Sequence, residues 1–349
     1  MRYLPLLLTL CLGTAAYAQE DDQVVRASTL KNNEEEKLYN KGVTLIEQKS
    51  YAGAIAEFDA AIAAKPDFAE AYHNRAVAKN LSKDFTGAIE DYSKAIELQP
   101  SADTYFARGR VHQEQGSGDE AEKDFTEAIK LDPKMAKAYY YIGTMHFQAA
   151  NFQAATDDFT ACLAADPEYY YAYNDRGSTY RQLEQYDKAL ADYSSAIAIN
   201  PKVDFLFSNR GSVYRLMDKF DEAIRDYDEA LKLSPQDAKL LNNRGLAKLR
   251  RGDFDGALAD FSSAAKLDVS YYRAYNNAGN AYFQQKKYTE AIAEYDMAIR
   301  INANFGQAYL NRGISKEMLR DDKGACADWR KAASLEVPSA ESYVSMQCR

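Results

Sequence analysis

The sequence has few of the residues, and none of the short motifs, that build catalytic or metal-binding centres. It contains three histidines, His73, His112 and His146, and none of them lies in an HExxH motif or at another spacing typical of paired zinc ligands. No GxSxG segment and no phosphate-binding loop occurs. The stretch from Gly116 to Gly118 imitates part of a dinucleotide-binding fingerprint, but it lacks the preceding strand that the motif requires. We therefore predict a protein that is not an enzyme and uses no metal and no cofactor.

Positive charge is in deficit, and long apolar runs are missing. The formal net charge is −9 at pH 7 and the isoelectric point is about 5.1. Nucleic-acid binding depends on neutralisation of phosphates by Lys and Arg, so this balance argues against a nucleic-acid partner. No apolar run is long enough to cross a bilayer as a helix, so we predict no membrane span.

What the sequence does contain is one segment that recurs nine times. Each repeat is numbered here from position 1 to position 34, beginning at Glu35. Position 8 is glycine in every repeat except the second, position 20 is always alanine, and position 24 is always aromatic. A catalytic cluster has no reason to recur at fixed spacing, whereas a structural unit does. The repeats begin at about residues 35, 69, 102, 136, 170, 204, 238, 272 and 306.

The spacing within a repeat predicts two helices. Positions 4, 8 and 11 follow the i, i+4, i+7 pattern of one helix face, and so do positions 20, 24 and 27. Ser, Asp or Asn at position 16 suits the N-cap of the second helix, and proline at position 32 ends it in the first six repeats. Glycine inside a helix costs about 1 kcal/mol relative to alanine. Position 8 therefore indicates a close approach of the two helices, with the position-24 aromatic filling the gap between stacked repeats.

This pattern resembles the tetratricopeptide repeat (TPR) family from Glu35 to Val337. The resemblance implies an all-α fold, a right-handed α-solenoid of nine helix-turn-helix repeats, closed by a capping helix at residues 338–349. It also implies a non-catalytic protein–protein interaction scaffold that binds an extended polypeptide or a helix in its concave groove. Binding of cell-wall glycan or another non-protein envelope ligand is the alternative, because tyrosine-rich walls suit sugar stacking as well as peptide.

The N-terminus is typical of a secretory signal peptide. Arg2 is followed by an apolar run over residues 4–13 and by Ala16-Tyr17-Ala18, which predicts a signal peptide at residues 1–18 that is cleaved after Ala18. A short membrane anchor is the weaker alternative. Residues 19–34 are polar and lack helical periodicity, so we predict a disordered leader. The segment GACADWRKAASL from Gly324 resembles the last repeat of bacterial envelope TPR proteins, so we predict a periplasmic or extracellular protein of bacterial type.

Arginine at position 7 accompanies aspartate at position 23 in six repeats. Arg210 with Asp226 and Arg244 with Asp260 are examples. Because the two positions lie on the first and second helix of one repeat, we interpret them as structural ion pairs. A role of these arginines in ligand binding is the alternative.

Three cysteines follow the predicted signal peptide. Cys162 replaces alanine at position 27, so we predict a buried free thiol. Cys326 and Cys348 are equally displaced from the predicted turn between the last repeat and the capping helix, so they could face each other. An exported protein permits a disulfide, and two free thiols remain the alternative.

Positions 2, 6, 9 and 13 lie opposite the core face of the first helix, and in the TPR family that face lines the concave surface. Position 6 is asparagine in the last four repeats, at Asn209, Asn243, Asn277 and Asn311. An asparagine amide donates and accepts, so this ladder suits the backbone of a bound peptide. Aromatic residues on or beside the same face predict side-chain anchors at Phe106, Tyr140, Tyr141, Phe147 and Tyr171. The alternative is that these asparagines are solvated and these aromatic residues pack in the core.

Overall fold

The computed structural model describes Val24 and residues 33–348. The predicted signal peptide and nearly all of the predicted leader lie outside the described residues. In the described part of the chain, all regular secondary structure is helical. None of the described helices is long and apolar enough to cross a membrane. The chain divides into two compact units, Met1–Gln185 and Tyr186–Arg349, which we call the N-terminal and C-terminal units.

The N-terminal unit is a stack of helix pairs in which a short turn joins the first and second helix of each repeat. Every first helix also packs against the second helix of the preceding repeat, as in an α-solenoid. The helices are α1 (Glu34–Glu47), α2 (Tyr51–Ala64), α3 (Ala69–Leu81), α4 (Phe85–Leu98), α5 (Ala102–Glu114), α6 (Gly118–Leu131), α7 (Ala136–Gln148), α8 (Phe152–Ala165) and α9 (Tyr170–Gln182).

The C-terminal unit repeats this arrangement and ends in a shorter helix. Its helices are α10 (Tyr186–Ile199), α11 (Asp204–Leu216), α12 (Phe220–Leu233), α13 (Ala238–Arg251), α14 (Phe254–Leu267), α15 (Tyr272–Gln284), α16 (Tyr288–Ile301), α17 (Gly306–Met318), α18 (Asp322–Ser334) and α19 (Ala340–Gln347).

The turn between the two helices of a repeat depends on a left-handed residue at position 15. Gly252 occupies it with φ of 91°, but Lys83 occupies it with φ of 69°, a conformation that costs a residue with a Cβ about 1–2 kcal/mol. The N-cap predicted at position 16 is only partly present. The aspartates there accept a backbone hydrogen bond, whereas Ser50, Ser117 and Asn151 do not; the accepting residues are Asp84, Asp253 and Asp321.

Position 8 lies close to the second helix of its own repeat, as the sequence predicts, but the group that it meets there is the position-24 ring of the same repeat. The rings of Phe261 and Tyr295 are buried. A Cβ added to Gly245 would lie 2.6 Å from Cε1 of Phe261, and one added to Gly279 would lie 2.5 Å from Cε1 of Tyr295. The glycine is therefore needed because an aromatic ring occupies the space that a side chain would take.

The last helix, α19, covers the second helix of the final repeat. Ala340 is fully buried, and the rings of Trp329 and Tyr343 lie 4.9 Å apart between their centroids. Leu310 and Val344 belong to the same apolar cluster. This contact helps to bury the indole of Trp329, and α19 lies within the segment predicted to form the capping helix.

Candidate functional site

The predicted asparagines of the C-terminal unit lie at the junctions between first helices. Nδ2 of Asn277 donates to Oδ1 of Asn242 at 2.8 Å. Nδ2 of Asn311 donates to Oδ1 of Asn276 at 3.2 Å. Each bond joins position 6 of one repeat to position 5 of the preceding repeat. The ladder therefore has a structural role that the sequence analysis did not identify.

The same junction occurs in the N-terminal unit with different chemistry. Nδ2 of Asn74 donates to the Tyr39 hydroxyl at 2.8 Å, and the Tyr140 hydroxyl donates to Oδ2 of Asp175 at 2.8 Å. Between the third and fourth repeats the contact is apolar. It joins the rings of Phe106 and Tyr141, whose centroids are 5.6 Å apart. Complementary side chains at positions 5 and 6 of successive repeats were the signal that could have revealed this contact.

These junctions leave some of the predicted amides available to a ligand. The Asn243 side chain is half-buried and makes no hydrogen bond to another described residue. Asn277 uses Nδ2, and its Oδ1 has no donor among residues 33–348. Asn209 is also half-buried. Asn311 is fully engaged, since its Oδ1 accepts from Gln307 at 2.8 Å. The amides of Asn243 and Asn277 are therefore the best candidates for binding a peptide backbone.

The predicted aromatic anchors are buried, so the interpretation of them as an exposed groove patch was wrong. Tyr140 and Tyr141 are each 1% exposed. Phe106, Phe147 and Tyr171 are also buried. Tyr141 stacks on Phe125, with the centroids 5.7 Å apart, and Tyr140 packs against Tyr169 at 5.1 Å. Large apolar rings at a junction between helices gain more from burial than from contact with water, and a helical wheel cannot show how closely the next helix approaches.

A cleft of about 600 Å³ opens on the first helices of the C-terminal unit. Its lining includes positions 6, 9, 12 and 13 of successive repeats, represented by Asn311, Asn280, Phe283 and Arg250. These positions therefore share one surface. We call it the first-helix face and include positions 2 and 5, which lie one helical turn from positions 6 and 9.

Hydrogen bonds fix the orientation of the amide at the floor of this cleft. Oδ1 of Asn280 accepts from the Tyr295 hydroxyl at 2.8 Å and from Nδ2 of Asn311 at 3.1 Å. Nδ2 of Asn280 has no acceptor among the described residues. The floor thus offers amide N–H donors, flanked by the apolar side chains of Phe283 and Ile314. It suits a ligand with carbonyl or carboxylate oxygens beside an apolar group.

The arginines and aspartates singled out in the sequence form ion pairs inside the repeats. Nε and Nη2 of Arg210 contact the Asp226 carboxylate at 2.9 and 2.7 Å. The equivalent atoms of Arg244 contact Asp260 at 2.9 and 2.6 Å. This bidentate geometry is the strong form of the interaction. It holds the first helix on the second and commits the Nε–Nη2 edge of each guanidinium to the aspartate.

Each of these arginines also reaches the preceding repeat. Nη1 of Arg210 donates to Oγ of Ser194 at 3.0 Å, and Nη1 of Arg244 donates to Oδ1 of Asp228 at 2.7 Å. Both acceptors occupy position 25, which the sequence analysis did not single out. The arginine thus links three helices, and its role is structural.

Cys326 and Cys348 are joined by a disulfide in the structure, with their Cα atoms 5.5 Å apart. The bond ties α18 to the end of α19. Cys162 is free and fully buried on α8, as predicted. Burial raises the pKa of its thiol, which disfavours the thiolate form that a reactive cysteine needs.

The histidines have protein partners. Nδ1 of His73 lies 2.9 Å from the Thr104 hydroxyl, and Nδ1 of His146 lies 2.6 Å from Oδ2 of Asp158. Within residues 33–348, no group of three or more His, Cys, Asp and Glu side chains is arranged to hold a metal ion.

One carboxyl group stands out because it is buried without a cationic partner among residues 33–348. Asp175 is 1% exposed and accepts hydrogen bonds from the Tyr140 hydroxyl and from Nδ2 of Asn174. Both bonds favour the charged form, but burial outweighs them and raises the pKa of Asp175 to about 6. The group lies on α9 and contacts Tyr140 of the preceding repeat, so we interpret it as part of the junction between repeats.

The repeat geometry and the sequence comparisons agree on the family. Tetratricopeptide repeat profiles match residues 38–68, 69–101, 106–159, 170–203 and 242–304, and a further TPR profile matches residues 211–252. The chain belongs to the tetratricopeptide repeat family. Such repeats form protein-interaction scaffolds, and the general class of this protein is therefore a helical scaffold for protein or peptide partners.

Solved structures support the same fold. A tetratricopeptide repeat protein from Parabacteroides merdae matches with a TM-score of 0.58 and 19% identity, over 71% of this chain and 99% of that chain. The C-terminal part of a TPR repeat-containing protein from Cytophaga hutchinsonii matches with a TM-score of 0.58 and 18% identity, over 68% and 98%. The PilF protein of Pseudomonas aeruginosa matches with a TM-score of 0.52 and 19% identity, over 61% and 96%. No curated protein sequence matches the chain.

Proposed function

We propose that this chain is a non-catalytic scaffold that binds an extended polypeptide segment along the first-helix face of its C-terminal unit. The observation that carries the proposal is the pair of half-buried amides at Asn243 and Asn277, which retain hydrogen-bonding groups without a partner among the described residues. An amide that both donates and accepts can pair with a peptide backbone of any sequence. The cleft beside Asn280 adds room for a side chain.

A selection from random displayed peptides tests the proposal. A selected peptide is labelled with a fluorophore, and its dissociation constant for the full chain is measured by anisotropy. We expect Asn243→Ala with Asn277→Ala to weaken binding by about tenfold or more, since each lost hydrogen bond contributes about 0.5–1.5 kcal/mol. Asn304→Ala is the matched control, because Asn304 is exposed in the turn before α17 and should leave binding unchanged.

Two outcomes contradict the proposal. If no peptide is selected, the chain does not bind extended polypeptides in this way. If peptides are selected but bind the double variant as tightly as the original chain, the partner uses another surface. Thermal melting of the double variant provides the control for folding. We expect a modest decrease in melting temperature, because Asn277→Ala removes the hydrogen bond to Asn242, whereas Asn243 makes no hydrogen bond within the described residues. Asn277→Ala alone, measured beside the double variant, separates this loss of stability from the loss of binding.

We also propose that the protein acts outside the cytoplasm, in the periplasm or beyond the cell. The support is the pattern at residues 1–18, which is typical of a cleaved signal peptide, together with a pair of cysteines placed for a disulfide, which persists in oxidising compartments. The intact mass of the protein recovered from a secreting host tests this. A chain that begins at Gln19 supports export, and a chain that retains Met1 refutes it.

A further inference from the structure

The first-helix face of the C-terminal unit is basic on a chain whose net charge is −9. At positions 2, 5, 6, 9, 12 and 13 of the last four repeats, the basic residues are Arg215, Lys239, Arg250 and Arg273, and the acidic residue is Glu317. The excess of positive charge on this face is therefore opposite in sign to the charge of the whole protein.

The N-terminal unit has the reverse balance at the same positions. The half-buried or exposed charged residues there are five acidic and three basic ones: Glu36, Glu47, Glu70, Asp103 and Glu114 against Arg110, Lys137 and Arg181. The basic face is thus a property of the C-terminal repeats and not of the repeat pattern as such.

Three of the four cations on this face form no ion pair with another residue in the described part of the chain. Lys239 and Arg273 are exposed, and neither makes an ion pair with a described residue. Arg215 is half-buried, and its Nε is buried without a hydrogen-bond acceptor in the described part of the chain. By contrast, Arg210 and Arg244, which point into the repeat, contact two acceptors each. Lys239, Arg273 and Arg215 therefore keep positive charge on this face without an ion pair to another described residue.

The fourth cation is paired only loosely. Nη2 of Arg250 lies 3.4 Å from Oδ1 of Asp218, and the two side chains are both largely exposed. An exposed pair of this kind contributes about 0–1 kcal/mol, so the guanidinium can accept a second carboxylate at small cost. Arg250 and Asn280 both line the cleft, so a cation and an amide that can donate N–H groups border the same space.

We infer that the partner segment bound by this face is acidic: a peptide that carries Asp or Glu side chains next to an apolar residue. The carboxylates would pair with Lys239, Arg250 and Arg273, and the apolar side chain would enter the cleft beside Phe283 and Ile314. This inference rests on the proposed function, and it adds the chemistry of the ligand to it. The charge balance provides the reason, since complementary charge sets partner choice and association rate.

The test uses the peptides selected on the full chain. We expect the selected sequences to be enriched in Asp and Glu, and the affinity of a selected peptide to fall when its acidic residues are replaced by Asn and Gln. Raising the salt concentration should also weaken binding, because exposed charges are screened beyond about 10 Å at 0.1 M salt.

A charge-reversal variant tests whether Lys239 and Arg273 are the residues that attract the acidic peptide. Lys239→Glu with Arg273→Glu should weaken binding of an acidic peptide by about tenfold or more. Arg225→Glu with Arg300→Glu is the matched control, because it changes the net charge equally at exposed residues of second helices. That control should change the affinity little. Melting temperatures of both variants should stay close to that of the original chain, since none of the four residues forms an ion pair with a described residue.

The outcomes separate this inference from the proposed function. In one outcome, peptide binding depends on Asn243 and Asn277, but the selected peptides are not acidic and the Lys239 and Arg273 reversal does not affect their binding. The inference is then refuted and the scaffold function stands. If both charge-reversal variants weaken binding equally, only the overall charge matters and the inference is also refuted. If binding depends on neither the asparagines nor the cations, or no peptide binds, both proposals are wrong.

Discussion

Asp226 and Asp260 occupy equivalent positions in neighbouring repeats but differ in the number of cations that contact them. Asp260 accepts from Arg244 and also from Nζ of Lys248 at 2.8 Å. Asp226 has Arg210 as its one cationic partner within the described residues. We predict that Arg210→Ala destabilises the protein more than Arg244→Ala does.

The magnitude follows from what each substitution leaves behind. The Asp226 side chain is 7% exposed, so Arg210→Ala leaves a buried carboxylate without a cation, which typically costs about 3–5 kcal/mol. Because the arginine is 21% exposed, water can enter the vacated space, and we reduce the expectation to about 2–4 kcal/mol. After Arg244→Ala, Lys248 still neutralises Asp260, so we expect about 1–2 kcal/mol.

Urea denaturation gives the overall free energy of unfolding. Hydrogen exchange of α11 to α14 gives the local cost, because repeat arrays can open in parts. The double variant Arg244→Ala with Lys248→Ala should lose as much free energy of unfolding as Arg210→Ala does. The reasoning fails if Arg244→Ala is at least as damaging as Arg210→Ala, or if the added Lys248→Ala has no effect.

Two further predictions concern Asp175 and the cap. Because burial raises the pKa of Asp175 to about 6 from about 3.9 in the unfolded chain, the folded state holds the proton more tightly. Its contribution to stability is therefore present below about pH 4 and lost as the pH rises to about 6, a difference of about 3 kcal/mol. Urea denaturation between pH 4 and 8 should show that Asp175→Asn removes this loss of stability. If the free energy of unfolding changes with pH in the same way for the variant and the original chain, the prediction is wrong. For the cap, Cys326→Ser with Cys348→Ser should lower the melting temperature and the exchange protection of α19. The disulfide is expected to contribute about 3 kcal/mol to the free energy of unfolding. Cys162→Ser is the cysteine control, which should leave the protection of α19 unchanged. Unaltered protection of α19 in the double variant would show that the apolar contact alone holds the cap.

Much of the fold follows from short-range periodicity. The i, i+4, i+7 spacing places Gly279 on the core face of α15 and Tyr295 on the core face of α16. In the structure the ring of Tyr295 lies against Gly279. The Arg–Asp pairs could be predicted because both partners recur within one repeat. These features depend on the shape of a helix and the size of a side chain, which the sequence contains directly.

The contacts between repeats could not be predicted in the same way. Whether position 6 points at solvent or at the neighbouring helix depends on the distance between successive first helices, which no spacing within one repeat determines. Tyr141 therefore looked like a groove residue but is 1% exposed. Asn277 occupies the same position, but its Nδ2 donates to Asn242 while its Oδ1 has no donor among residues 33–348.

The pairing of position 5 with position 6 of the next repeat determines which repeats can be gained or lost. Deleting residues 272–305 would set Asn311 against Asn242, a pair of amides equivalent to the existing contact between Asn277 and Asn242. Deleting residues 136–169 would instead set Asp175 against Phe106, so the buried carboxylate would lose the hydroxyl of Tyr140 and gain no donor. The last repeats are therefore interchangeable modules whose number can change during evolution or by design, whereas the fourth and fifth repeats must be inherited together.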